Sequence, residues 1–67
     1  MFRIELDRED DGRWVGEIAS LPGVMAYGAT EAEARAATAA LALRVVADRI
    51  EHGEPLPDEA KALFEAV

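Results

Sequence analysis

Residues 2–19, FRIELDREDDGRWVGEIA, decide the fold. Phe2, Ile4 and Leu6 alternate with Arg3, Glu5 and Asp7, so Phe2 to Arg8 has the period-two pattern of a strand with one buried face. Glu9-Asp10-Asp11-Gly12 is a turn, and Gly12 supplies the left-handed conformation that closes a three-residue hairpin loop. Arg13 to Ala19 form the returning strand. With Asp10-Asp11-Gly12 as the loop, Glu9 faces Arg13, Leu6 faces Gly16 and Ile4 faces Ile18. Trp14, Gly16 and Ile18 then share a face with Phe2, Ile4 and Leu6. A one-residue slip buries Glu17 instead, so the apolar pattern selects the register. Gly16 has no side chain and leaves room for another element to approach the sheet.

The rest of the chain completes an α+β pattern. Pro22-Gly23 gives Ser20–Gly23 the chemistry of a turn, and Val24 to Gly28 reads as a short third strand. Thr30-Glu31-Ala32-Glu33 is a capping box: the Thr30 hydroxyl accepts from the Glu33 backbone N–H, and the Glu33 carboxylate reaches back to the N–H of Thr30. An Ala- and Leu-rich helix follows to about His52, with Gly53 as its C-cap and Pro55 preventing continuation. Ala34, Ala37, Leu41 and Val45 line a narrow apolar stripe on this helix. Ala36, Ala39, Leu43, Val46, Ala47 and Ile50 line a wide one roughly opposite. Glu33, Arg44 and Glu51 occupy one flank, Arg35 and Arg49 the other. A surface helix has one apolar stripe, so two imply cover on both sides: the sheet on one, the C-terminal segment or a second chain on the other. In the tail, Asp58 is a plausible N-cap, and Ala60, Leu63, Phe64 and Val67 follow helical spacing. The expected architecture is a single domain over residues 1–67, β-β-β-α-α: a three-stranded antiparallel sheet with one long helix on one face and a short C-terminal helix.

Composition narrows the function. The chain has 67 residues, 14 acidic and 7 basic, for a net charge of −7, and no cysteine. A chain this short buries only about 60 % of its unfolded surface, so without disulfides a second chain is an expected source of stability, as a homo-oligomer or a partner complex. The acidic balance disfavours a grip on phosphate backbones and suits a basic partner. No apolar run approaches the ~18 residues of a membrane span, and the charged, alternating N-terminus is unlike a signal peptide. The expected compartment is the cytoplasm.

Reactive chemistry has little footing. His52 is the only histidine and sits at a helix end, where its charged form complements the dipole; a lone histidine without cysteine makes a poor metal site. Glu9, Asp10 and Asp11 read as a solvated turn rather than a cation loop. There is no glycine-rich phosphate loop, and Ser20 has no sequence cue for an activating base. No catalytic, cofactor or metal residues are assigned. Contact residues are the better candidates. If Val24 and Ala26 face the helix, Met25 and Tyr27 lie on the opposite sheet face beside Val15. These three, with Leu43, Val46 and Ile50 of the wide helical stripe, are the candidate partner-binding residues. Trp14 and Phe2 are expected in the core.

An alternating strand, an acidic turn ending in Asp11-Gly12, Trp14 and Glu17-Ile18, then Leu21-Pro22-Gly23-Val24, Gly28-Ala29-Thr30 and Glu33-Ala34 form a succession that resembles the HicB-like antitoxin domain, a partial RNase H-like fold, from about Phe2 to Leu56. The resemblance implies a sheet with a long helix on one face, often completed by a further strand. It also implies a partner, a small basic HicA-type ribonuclease toxin, whose RNA-binding surface such domains cover. It carries no nuclease activity, because no matching set of catalytic acids is present. Two features depart from the family pattern. No ribbon-helix-helix or helix-turn-helix module is expected with the domain, and the segment after Pro57 reads as helix where the family often has a strand.

Overall fold

The computed structural model describes residues 1–65. The architecture is α+β, with element order β1 (Glu5–Arg8), β2 (Trp14–Glu17), β3 (Met25–Gly28), α1 (Glu31–Glu51) and α2 (Asp58–Lys61). The three strands form one antiparallel sheet in the order β1-β2-β3. Each is shorter than its sequence pattern: Phe2 and Ile4 precede β1 and pack against the core, and Ile18 and Val24, flanking the β2–β3 loop, lie within it.

The hairpin has the register that burial demands. Leu6 pairs with Gly16 and Arg8 with Trp14. Beyond them the Glu9 N–H donates to the Arg13 carbonyl at 2.7 Å, and the Gly12 N–H donates to the Glu9 carbonyl at 3.0 Å. Gly12 has φ +90°, the left-handed conformation the loop requires. At the next turn Pro22 and Gly23 occupy the two central positions, Gly23 has φ +91°, and the Val24 N–H donates to the Leu21 carbonyl at 3.0 Å. This is the chemistry of a type II turn.

Helix α1 begins where the capping box places it. Thr30 Oγ1 accepts from the Glu33 N–H at 3.1 Å, but the Glu33 carboxylate accepts from Ala29 rather than Thr30, at 3.0 Å. The reach-back bond closes one residue earlier than expected. The helix ends at His52. The Glu54 N–H donates to the Arg49 carbonyl at 2.9 Å and the Gly53 N–H to the Ile50 carbonyl at 3.2 Å, the paired bonds of a Schellman motif.

The sheet-facing row of α1 is Ala34, Thr38, Ala42 and Val46, all buried, with Leu41 and Val45 half-buried beside it. This corrects the two-stripe reading. The narrow stripe supplies one shoulder of the contact, while the wide stripe loses Val46, which is 3 % exposed, to the core. The row is made of small residues because Gly16 brings the backbone of β2 against it. A Cβ on Gly16 would overlap Thr38 Oγ1 and lie 3.1 Å from Thr38 Cβ. The buried Thr38 hydroxyl is satisfied by donating to the Ala34 carbonyl at 2.7 Å. Ile18, Leu21, Val24, Ala42, Val46 and Ala60 form the core cluster, with Phe2, Ile4, Leu41, Val45 and Leu56 packed around it. Phe2 is thus peripheral to the core, and Trp14 is half-buried outside that cluster.

The tail differs most from expectation. Its helix is a single turn, Asp58–Lys61; Pro57 is the N-cap, and Asp58 is the first helical residue rather than the cap. Pro57 fixes an extended entry, and no side chain caps the turn. Ala60 is fully buried in the sheet-side core, whereas Leu63 and Phe64 are exposed. The tail therefore closes the end of the core and leaves the outer stripe of α1 open. Val67, expected to extend the tail's apolar row, lies outside the described residues.

Candidate docking face

One face of the sheet is covered by α1; the other is open among the described residues. The strand register fixes what it displays. Val15 pairs with Asp7 on one side and Tyr27 on the other; Glu17 pairs with Glu5 and Met25. Side chains of directly paired residues share a face, so the open face carries two rows, Asp7-Val15-Tyr27 and Glu5-Glu17-Met25. Met25 is 48 % and Tyr27 46 % exposed, and Val15 is half-buried between them. The expected patch of Val15, Met25 and Tyr27 is therefore assembled on the face away from the helix.

Arg13 organises one end of this patch. Its guanidinium lies 4.5 Å from the centroid of the Tyr27 ring, in cation–π range. Asp11 holds it there: Arg13 Nε donates to Asp11 Oδ2 at 2.7 Å and the Arg13 N–H donates to Asp11 Oδ1 at 3.0 Å. The Arg13 backbone N–H first, and then its guanidinium, keep the Asp11 carboxyl below its usual range. Such an exposed pair adds little stability, but it fixes the orientation of Arg13. The Tyr27 hydroxyl leans toward Met25 Sδ at 3.9 Å, joining the two exposed apolar side chains. Arg13 was not singled out from the sequence; its parity with Val15 along β2 was the available signal.

At the other end Glu5 and Glu17 stand directly opposite one another. Like charges in this position are destabilising. Among the described residues the ion pairs found are Arg13–Asp11 and His52–Asp48, so Glu5, Asp7 and Glu17 have no cation beside them. The open face thus has an apolar centre, one clamped arginine and a carboxylate rim.

The remaining candidates sit elsewhere. Leu43 is 61 % and Ile50 46 % exposed, on the outer face of α1. Val46, proposed from the wheel as a partner contact, is buried beneath the helix and cannot serve as one. His52 caps α1, its Nδ1 2.7 Å from the Asp48 carbonyl. With Asp48 and Glu54 it offers ligand atoms within 4.8 Å of one another, but all three residues are exposed and only one is an imidazole. Ser20 meets the tail: the Glu59 backbone N–H first, and then the Ser20 hydroxyl, hold the Glu59 carboxyl below its ordinary value. Among the described residues no helix is long and apolar enough to cross a membrane.

Comparison of the chain with protein-family models, with curated proteins and with solved structures finds no match.

Proposed function

We propose that this chain is a HicB-like antitoxin domain, a binding protein that docks on a HicA-type ribonuclease toxin and masks its RNA-binding surface. The observation that carries the reading is the open sheet face, where Val15, Met25 and Tyr27 form an apolar centre beside the unpaired carboxylates of Glu5, Asp7 and Glu17. Tyrosine and arginine are the residue types enriched at interface hot spots, and Tyr27 and Arg13 are here already stacked. The chain's charge of −7 steers a basic partner toward it. On docking, a partner's lysine or arginine side chains relieve the Glu5–Glu17 repulsion while the aromatic centre is desolvated. Masking of this kind is steric and electrostatic and calls on no reactive group in the chain.

The test is RNA cleavage by a purified basic HicA-type ribonuclease, with and without the purified chain. Cleavage falls to background at saturating antitoxin. Tyr27→Ala, the loss of a hot spot worth about 2 kcal/mol, weakens inhibition roughly 30-fold. Glu17→Lys weakens it further at low salt than at high salt. Undiminished cleavage at saturating chain overturns the proposal.

A further inference from the structure

We infer that the outer face of α1 is a self-association surface, on which a second copy of this chain docks antiparallel about a two-fold axis passing Ala39. This surface lies on the far side of α1 from the sheet, so the inference does not depend on what the sheet binds.

The face is graded in size along its length. Its first half is small: Ala32, Ala36 and Ala39, with Glu31 and Arg35, line a shallow open depression. Its second half is large: Leu43 and Ile50 project 61 % and 46 % exposed. A parallel pair sets Leu43 against Leu43 and leaves the depression empty. An antiparallel pair sets Leu43 of each copy on the small half of the other, with Ile50 just past the start of its mate's helix. With the axis at Ala39, Leu43 of one copy seats within one residue's rise of Ala36 of its mate, and Ala47 within one residue's rise of Ala32. Alanine at these contacts permits helix axes to approach to about 8 Å.

The flanking charges agree with this register. Glu33 and Arg44 lie on the same flank of the outer face, and in an antiparallel pair each flank meets its own counterpart. The same axis brings Arg44 within one residue's rise of Glu33 of the mate, in reach of its long side chain, once on each side of the dyad. The overlap runs over residues 31–47, about 25 Å of helix. A strip one helix wide belongs to the small, weak class of specific interfaces, so association is concentration-dependent.

Sedimentation velocity of the full chain over a concentration series up to about 1 mM, the weak end of useful affinity, reads the equilibrium. The wild type shifts from monomer to dimer. Leu43→Asp stays monomeric with unchanged helical circular dichroism, because Leu43 lies outside the core. Arg44→Glu faces like charge across the dyad and weakens dimerisation at least about tenfold. The chain has no cysteine, so single cysteines report the register cleanly. Ala39→Cys forms an inter-chain disulfide on mild oxidation. Ala47→Cys does not, because its two copies lie roughly 24 Å apart along the axis, far beyond disulfide reach. A wild type that stays monomeric throughout, a Leu43→Asp variant that still dimerises, or equal cross-linking at both cysteines overturns the inference.

Discussion

Replacing Gly16 by alanine places a methyl group where Thr38 already stands. The new Cβ overlaps Thr38 Oγ1, lies 3.1 Å from Thr38 Cβ and 3.2 Å from Leu6 Cδ2. Thr38 is fully buried and its hydroxyl is bound to the Ala34 carbonyl at 2.7 Å. It can swing clear only by giving up that bond, or α1 must lift from β2. Overpacking of this kind costs about 1–3 kcal/mol. Alanine also narrows the unfolded ensemble, which returns about 0.4–1 kcal/mol. The net expectation is a loss of about 1–2 kcal/mol, and at about 4–8 °C per kcal/mol for a domain of this size the melting temperature falls by roughly 5–15 °C. Thermal unfolding by circular dichroism at one fixed protein concentration measures it. In a Thr38→Ala background the overlapped oxygen is gone, so Gly16→Ala costs about 1 kcal/mol less there, a coupling typical of residues in contact. An unchanged melting temperature in Gly16→Ala, or the same cost in both backgrounds, refutes the account of why this helix face is small.

Gly28→Ala is more damaging than Gly16→Ala, because its Cβ meets α1 backbone, with the Glu33 carbonyl carbon 2.8 Å away, and backbone cannot rotate aside; comparison of the two melting temperatures checks the order. Val46→Ala removes buried volume and costs about 1–3 kcal/mol, while Leu43→Ala changes monomer stability by less than about 0.5 kcal/mol; urea unfolding at low concentration separates them. The Glu59 carboxyl titrates below its ordinary 4.5 because the folded state favours its charged form. Its contribution is therefore fully present above pH 4.5 and is lost as pH falls through the lowered value. Ser20→Ala moves the Glu59 midpoint back toward 4.5, which an NMR titration of the carboxyl follows.

The hairpin was legible because alternation and burial act together: a slip of one residue would have put Glu17 where Gly16 and Ile18 belong. The ends of α1 were legible because Thr30, Glu33 and Gly53 satisfy terminal backbone groups by local bonds that depend little on the rest of the fold. The core face of α1 was not. Gly16 lets the sheet approach so closely that the buried row must be small, and Ala34, Thr38 and Ala42 carry almost no hydrophobic signal. Apolar bulk pointed to neighbouring rows and misplaced Val46. The tail failed for a related reason. Ala60 is central to the core, yet Leu63 and Phe64, which look more hydrophobic, remain exposed. The open sheet face followed from parity along β2 and β3. The Arg13–Tyr27 stack did not, because it depends on side-chain torsions and on a β2–β3 register that the short third strand states only weakly.

Hydrogen exchange of the chain, alone and mixed with a purified HicA-type ribonuclease, reaches the central proposal most directly. Protection is predicted to appear along β2 and β3, around Val15, Met25 and Tyr27, and to fade in Tyr27→Ala. A stable complex whose footprint spares those strands, or no change at saturating ribonuclease, contradicts it.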